Sequence, residues 1–150
     1  MVKEVSGDLL AAPCEAVVNP INTVGVMGKG LALQFKRAFP ENYEAYRQAC
    51  KHGEIRMGEM FVVGLRAKKF PRFIVNFPTK RHWKSKSKLE DIVEGLKALI
   101  RVVQEKKIHT IAIPALGCGE GGLDWGDVKR EITRVFDLLP EAEVLLYAPC

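Results

Sequence analysis

The sequence has no closely spaced cysteines: Cys14, Cys50, Cys118 and Cys150 stand far apart. That spacing excludes a short-range zinc ligand set and the dense framework of a small disulfide-stapled scaffold. The four read instead as reduced thiols of a cytosolic protein. There is no charged start followed by a long apolar run, and the apolar stretches are only strand-sized, which argues against a signal peptide or a membrane span. Repeats, low-complexity tracts and linkers are missing as well. So are two familiar nucleotide fingerprints. The segment Gly25-Val-Met-Gly-Lys-Gly30 is Gly-x-x-Gly-x-Gly, not the dinucleotide pattern Gly-x-Gly-x-x-Gly, and Lys29 is followed by glycine where a P-loop needs Ser or Thr. A hydride-transfer enzyme and a P-loop ATPase are set aside on that ground. What remains is one soluble, intracellular domain over residues 1–150, 47% apolar, long enough to bury a core without metal or disulfide support and expected to be a monomer.

Two glycine-dense junctions stand out against this background. Gly25–Gly30 runs directly into Leu31-Ala-Leu-Gln-Phe-Lys-Arg-Ala-Phe39, an amphipathic helical pattern that ends at Pro40. Glycines let the backbone come close to a ligand, and the unpaired N–H groups and dipole of a first helical turn favour an anion. The second junction repeats the design. Thr110-Ile-Ala-Ile-Pro-Ala115 leads into Gly117-Cys-Gly-Glu-Gly-Gly122, after which Val128, Ile132, Val135, Phe136 and Leu139 recur at helical spacing. Two such loops point to a diphosphate.

Apolar runs at Val2–Val5, Ala16–Val18, Met60–Leu65, Phe73–Phe77, Thr110–Ala115 and Glu143–Tyr147 read as strands. Residues 88–105 form the clearest helix, with Ser87 and Glu90 expected as a capping box at its start, and Glu41–Cys50 forms a shorter one whose Tyr43 and Tyr46 read as core. Strands alternating with helices imply an α/β fold with a mixed or parallel sheet covered on both faces, and ligands at the strands' carboxyl edge.

The net charge of +5 is unevenly placed. Lys80, Arg81, Lys84, Lys86 and Lys88 fall within nine residues that also hold His82 and Trp83. Such a run is either a solvated lead-in to the following helix or a polyanion contact; the interleaved rings, which could stack on unpaired bases, favour single-stranded nucleic acid.

Taken in order, Gly7-Asp-Leu-Leu10, Val18-Asn-Pro-Ile-Asn22, the Gly25–Gly30 loop and Pro114-Ala-Leu-Gly-Cys-Gly-Glu-Gly-Gly-Leu-Asp-Trp125 resemble the signatures of a macrodomain over essentially the whole chain. Met27-Gly-Lys-Gly-Leu-Ala-Leu-Gln-Phe-Lys36 and Phe77-Pro-Thr-Lys80 are similar to the branch that holds the terminal ADP-ribose protein glycohydrolases and the DarG-type antitoxins. The resemblance implies a three-layer α/β/α macrodomain with a central mixed sheet and an ADP-ribose cleft. It places Asp8 on the adenine amino group with Leu9 beside it, Asn22 near the distal ribose, and Tyr147 flanking adenine or the proximal ribose. Gly28, Lys29 and Gly30 match the first phosphate loop; Gly117, Cys118, Gly119, Glu120, Gly121 and Gly122 match the second, which explains Cys118 without thiol chemistry. Lys80, assisted by Asn22, is the implied catalytic residue, either as an ammonium that stabilises the departing base or as a nucleophile. Thr79, Arg81, His82, Trp83 and Lys84 are the implied DNA contacts.

One position departs from that branch. Its protein-directed members carry a catalytic aspartate in the second loop, where this chain has Gly121, with Asp124 three residues later. The resemblance therefore implies hydrolysis of ADP-ribose from thymine in single-stranded DNA, in the cytoplasm, without metal or redox cofactor, reversing a DarT-type toxin that would be bound through a region outside this chain. The alternatives are a non-catalytic ADP-ribose reader, a hydrolase of protein-linked ADP-ribose, and a general nucleic-acid binder with structural glycine loops.

Overall fold

The computed structural model describes residues 1–149, so the thiol expected at Cys150 lies outside the described residues. Six strands form one mixed sheet in the order β1-β6-β5-β2-β4-β3: β1 Val2–Val5, β2 Ala16–Asn22, β3 Phe61–Gly64, β4 Phe73–Lys80, β5 Thr110–Ile113 and β6 Glu143–Tyr147. All pairings are parallel except β3 with β4. Two strands run further than their apolar runs predict. β2 continues past Val18 because Asn19, Pro20 and Ile21 pair with Asn76, Phe77 and Pro78 of β4. Proline is tolerated where a strand has lost one neighbour, and both prolines meet that condition. The partners of β5 on β2 stop at Val17, short of Pro20, and those of β3 on β4 stop at Asn76, short of Pro78.

Four α-helices cover the sheet: α1 Gly30–Ala38, α2 Pro40–Lys51, α3 Leu89–Glu105 and α4 Trp125–Phe136. Alternate residues of the strands face opposite layers, as the period of two requires. Val18, Val75, Phe77, Ile111 and Ile113 pack with Ile92, Leu96, Leu99, Val128 and Ile132 of α3 and α4. Val17, Ile74 and Ala112 pack with Phe35 of α1. Pro40 both stops α1 and starts α2, where its missing N–H is one of the groups a helix leaves unpaired. Gly95 lets α3 lie close on β4, since a Cβ there would sit 2.4 Å from the Phe77 ring.

A buried amide network ties three elements together. Asn76 of β4 accepts from Asn19 of β2 (3.0 Å) and from Asn42 of α2 (3.1 Å), and donates to Asn42 (2.8 Å) and to the Phe61 carbonyl (3.0 Å). All three asparagines are fully buried. The capping box expected from Ser87 and Glu90 does not form. Lys88 is the residue that caps α3, without a side-chain bond, and Ser87 is buried beneath the second glycine loop. Its N–H donates to the Gly121 carbonyl at 3.0 Å, while its hydroxyl has no partner among the described residues.

Candidate active site

The five parallel strands end at the same edge of the sheet, and the segments leaving them carry the predicted site residues: Asp8 after β1, Gly25–Gly30 after β2, the basic run after β4, Gly117–Gly122 after β5 and Tyr147 at the end of β6. A cleft of about 310 Å³ opens there, lined by Lys29, Trp83, Lys84, Lys86 and Glu120. It therefore joins the first loop, the second loop and the basic run.

Each loop presents free backbone donors. Lys29 is the extended residue before α1, and the first intrahelical bond runs from Leu33 N–H to the Lys29 carbonyl, which leaves the amides at Gly30, Leu31 and Ala32 at the helix mouth. In the second loop the amides of Gly117, Gly119, Glu120 and Gly121 bond to no protein acceptor among the described residues. Those of Cys118 and Gly122 donate instead to Ala115 and Gly119 (both 3.1 Å). The expected contribution of Cys118 and Gly122 to phosphate binding is thus corrected: their N–H groups shape the loop. The Cys118 thiol is pushed up to about 11, by burial first and then by the Asp124 carboxylate, which suits a packing role and opposes a thiolate nucleophile. Gly121 is closely confined. A Cβ there would lie 2.4 Å from the Ser87 hydroxyl and 2.5 Å from the Gly117 carbonyl, so an aspartate could not stand there without displacing the loop. Asp124 cannot stand in for it as placed: it is exposed and caps α4 by accepting from Asp127 N–H at 3.1 Å.

Lys80 and Asn22 meet through an irregularity in the sheet. Between Ile21 and Asn22 the β2–β4 register shifts by one residue, so Asn22 pairs with Lys80, and Thr79 is the extra residue. This corrects the expected DNA contact at Thr79, which is buried and donates to the Ile21 carbonyl (3.4 Å). Lys80 is half-buried and donates to the Trp83 carbonyl at 2.9 Å, leaving two ammonium hydrogens for a ligand.

Asn22 differs most from expectation. Its side-chain oxygen accepts from Val24 N–H (3.1 Å), Val26 N–H (3.4 Å) and the Tyr46 hydroxyl (2.8 Å), and its amide donates to the Val26 carbonyl (2.8 Å). One N–H at most is left for a ribose hydroxyl. Its main work is to hold the first loop. Tyr46, which the sequence places only in the core, shares that work: its fully buried hydroxyl also lies 2.9 Å from the Asn22 carbonyl and accepts from Gly25 N–H at 3.2 Å. Burial drives the Tyr46 phenol well above its ordinary range, keeping it protonated and able to donate. A tyrosine among helix-spaced core positions was the available signal, because a buried phenol needs a partner where phenylalanine does not.

At the other end of the edge, Asp8 uses one oxygen to accept from Leu10 N–H (3.0 Å), capping the 3-10 turn Leu9–Ala11, and the exposed carboxylate keeps its second oxygen for a ligand. Leu9 is buried beneath it. Tyr147 is opposite Val5 in the β1–β6 register, and its phenol is raised by burial, with smaller contributions from Cys14 and Asp8. In the basic run, His82 stacks on Trp83 (centroids 5.4 Å apart), Lys84 stands 4.9 Å over the indole, and Arg81 pairs with Asp91 at 3.3 Å. Lys29 and Glu120 pair across the mouth at 3.8 Å, and Lys86 donates to the Glu120 carbonyl at 3.2 Å.

The Macro domain family model matches residues 18–132, which span both glycine loops, Asn22 and Lys80. The chain belongs to the macro domain family. Among sequences, this macro domain is 51% identical over 149 residues to a "DNA ADP-ribosyl glycohydrolase" of Thermus aquaticus, covering 99% of the chain and 41% of that protein. It is 52% identical to the Mycobacterium tuberculosis protein of the same name, over 99% of the chain and 42% of that protein. The chain thus spans about two fifths of the length of these curated relatives. Among structures, the macro domain superimposes on the macrodomain of Mycobacterium tuberculosis DarG with a TM-score of 0.99 at 51% identity, covering 100% of this chain and 99% of that one. Thermosipho africanus DarTG in complex with ADP-ribose matches with a TM-score of 0.92 at 35% identity, over 99% of this chain and 41% of that one.

Proposed function

We propose that this macro domain hydrolyses the N-glycosidic bond between the distal ribose of ADP-ribose and a thymine base of single-stranded DNA. The observation that carries the reading is the placement of Lys80 beside Asn22 at the sheet edge, between two loops of free amide donors and an exposed aromatic-basic turn. Asp8 and Tyr147 hold the adenosine end, the amides of Gly28 to Ala32 and of Gly117, Gly119, Glu120 and Gly121 take the diphosphate, and the Lys80 ammonium faces the scissile bond. Water supplies hydroxide to the anomeric carbon and a proton to the leaving thymine; Lys80 stabilises the charge that the base carries as the bond breaks. His82, Trp83 and Lys84 guide the strand. The likeness to proteins named DNA ADP-ribosyl glycohydrolase supports the DNA substrate, as does Gly121 in place of an acidic residue.

A Thermosipho africanus protein named as a fusion of DNA ADP-ribosyl transferase and DNA ADP-ribosyl glycohydrolase is 35% identical to the chain. It supports pairing with a transferase that makes the substrate, so that the activity is that of an antitoxin, with the toxin itself held through a region outside these residues. Three free thiols, at Cys14, Cys50 and Cys118, suit the cytoplasm. The proposed reaction uses no metal or redox cofactor.

The test is release of ADP-ribose from a thymine-modified single-stranded oligonucleotide. Lys80→Ala is expected to lower turnover by about 10²-fold or more while ADP-ribose still binds. A native chain that binds ADP-ribose but releases none from DNA is a reader; equal turnover in Lys80→Ala removes Lys80 from the chemistry.

A further inference from the structure

The two ends of β4 carry the same kind of surface. After its last residue come Arg81, His82, Trp83 and Lys84, with a lysine over an exposed ring. Before its first residue comes the β3–β4 hairpin, Leu65-Arg-Ala-Lys-Lys-Phe-Pro-Arg72, at the edge of the sheet away from the cleft. Arg66, Lys68, Lys69 and Arg72 are all exposed there, and none of the four pairs with a carboxylate among the described residues. Phe70 is 45% exposed and Trp83 39%; they are the exposed large aromatics of the described chain. The Arg72 guanidinium lies 5.6 Å from the Phe70 ring, as Lys84 lies over Trp83.

The hairpin is held firmly. Leu65 N–H donates to the Arg72 carbonyl at 2.8 Å, and the amides of Arg72 and Phe73 both donate to the Glu15 carbonyl, at 2.7 and 3.1 Å. The Glu15 carboxylate accepts from His109 N–H at 3.0 Å and forms no ion pair with the hairpin cations among the described residues. Four unpaired cations and an exposed ring on a fixed support cost stability in a lone domain, through self-repulsion and an unburied apolar face. They fit a strand of nucleic acid, whose phosphates meet the cations while a base stacks on the ring.

We infer that the β3–β4 hairpin is a second contact site for single-stranded DNA, and that one strand passes from the cleft turn at Arg81–Lys84 along the sheet edge to Lys68, Lys69 and Phe70. The strand at that edge, β3, contains no charged side chain, and the exposed Glu59 lies two residues before it, toward the cleft end of β4. Seven residue steps separate Phe73 from Lys80, about 23 Å at 3.3 Å per step. A stacked strand rises about 3.4 Å per nucleotide, so about seven nucleotides span β4 alone and a longer strand is needed to reach both sites. The inference rests on the DNA reading above, and its test does not use turnover.

Binding of unmodified oligothymidylates of about four and about sixteen nucleotides is measured at low salt for the native chain, Lys68→Glu/Lys69→Glu and Phe70→Ala, with ADP-ribose binding measured in parallel. The native chain is expected to hold the longer strand about tenfold more tightly than the shorter. Both variants lose that advantage and keep their ADP-ribose affinity, and the double variant shows a shallower salt dependence on the long strand. A length advantage that survives both variants, or none in the native chain, overturns the inference and leaves the hairpin to an acidic protein surface. Failure of the DNA reading appears separately, as no ADP-ribose release from a short thymine-modified strand.

Discussion

Removing the Tyr46 hydroxyl would separate the roles of packing and of loop geometry. Tyr46→Phe keeps the ring and takes away a group that bonds Asn22 and receives Gly25 N–H. Leaving those buried groups unmatched costs about 1–3 kcal/mol, read as a lower Tm. It also frees the turn that carries Gly28 and Lys29, so ADP-ribose affinity is expected to fall several-fold by titration calorimetry. Unchanged affinity with a lowered Tm would make the hydroxyl a packing device alone. Asn22 is bound into the same arrangement. Its role as a loop brace explains why a short polar side chain stands at a strand end where the backbone must turn sharply, and why a substitution there would disturb diphosphate binding as well as any ribose contact.

At the scale of elements, α4 and the second loop share a boundary at Asp124. Because this carboxylate accepts from Asp127 N–H, Asp124→Ala is expected to cost about 1 kcal/mol in urea unfolding, whereas Asp124→Asn, another good capping residue, costs little. If Asp124→Asn also keeps full turnover, the carboxylate has no share in the chemistry; a large loss would show that it swings into the cleft when substrate is bound. How far such roles are visible in sequence depends on what supplies the partner. α3 and β6 follow from periodicity, since their own residues decide which face is buried. The glycine loops are legible for the same reason: backbone freedom is a local property. Thr79, Ser87 and Asn22 are different. A one-residue register shift turned Thr79 inward, the approach of the second loop buried Ser87, and a tyrosine from α2 engaged Asn22. The Asn19, Asn42 and Asn76 network was equally hidden, because three positions scattered along the chain form one unit only after β2, β4 and α2 have packed. Asn76, a polar residue inside the apolar run Phe73–Phe77, was the trace it left.

For the molecule as a whole, the sheet divides the labour by edge: carboxyl ends of the parallel strands hold the cleft, and the opposite edge holds the Arg66–Arg72 hairpin. One feature of the cleft bears on how fast it exchanges its contents. What crosses the mouth is the Lys29–Glu120 pair, with side chains 72% and 64% exposed, not a segment of backbone. An exposed pair is worth about 1 kcal/mol at most, so the closed arrangement outweighs the open one by no more than about fivefold. Exposed side chains move in picoseconds to nanoseconds, whereas lids of backbone take microseconds to milliseconds. In stopped-flow measurements Glu120→Gln is accordingly expected to change ADP-ribose dissociation by no more than about fivefold, and a hundredfold change would mean that the second loop itself had moved. The mouth acts as a swinging latch whose waiting time is negligible, so product leaves at a rate set by the grip of the amides beneath it.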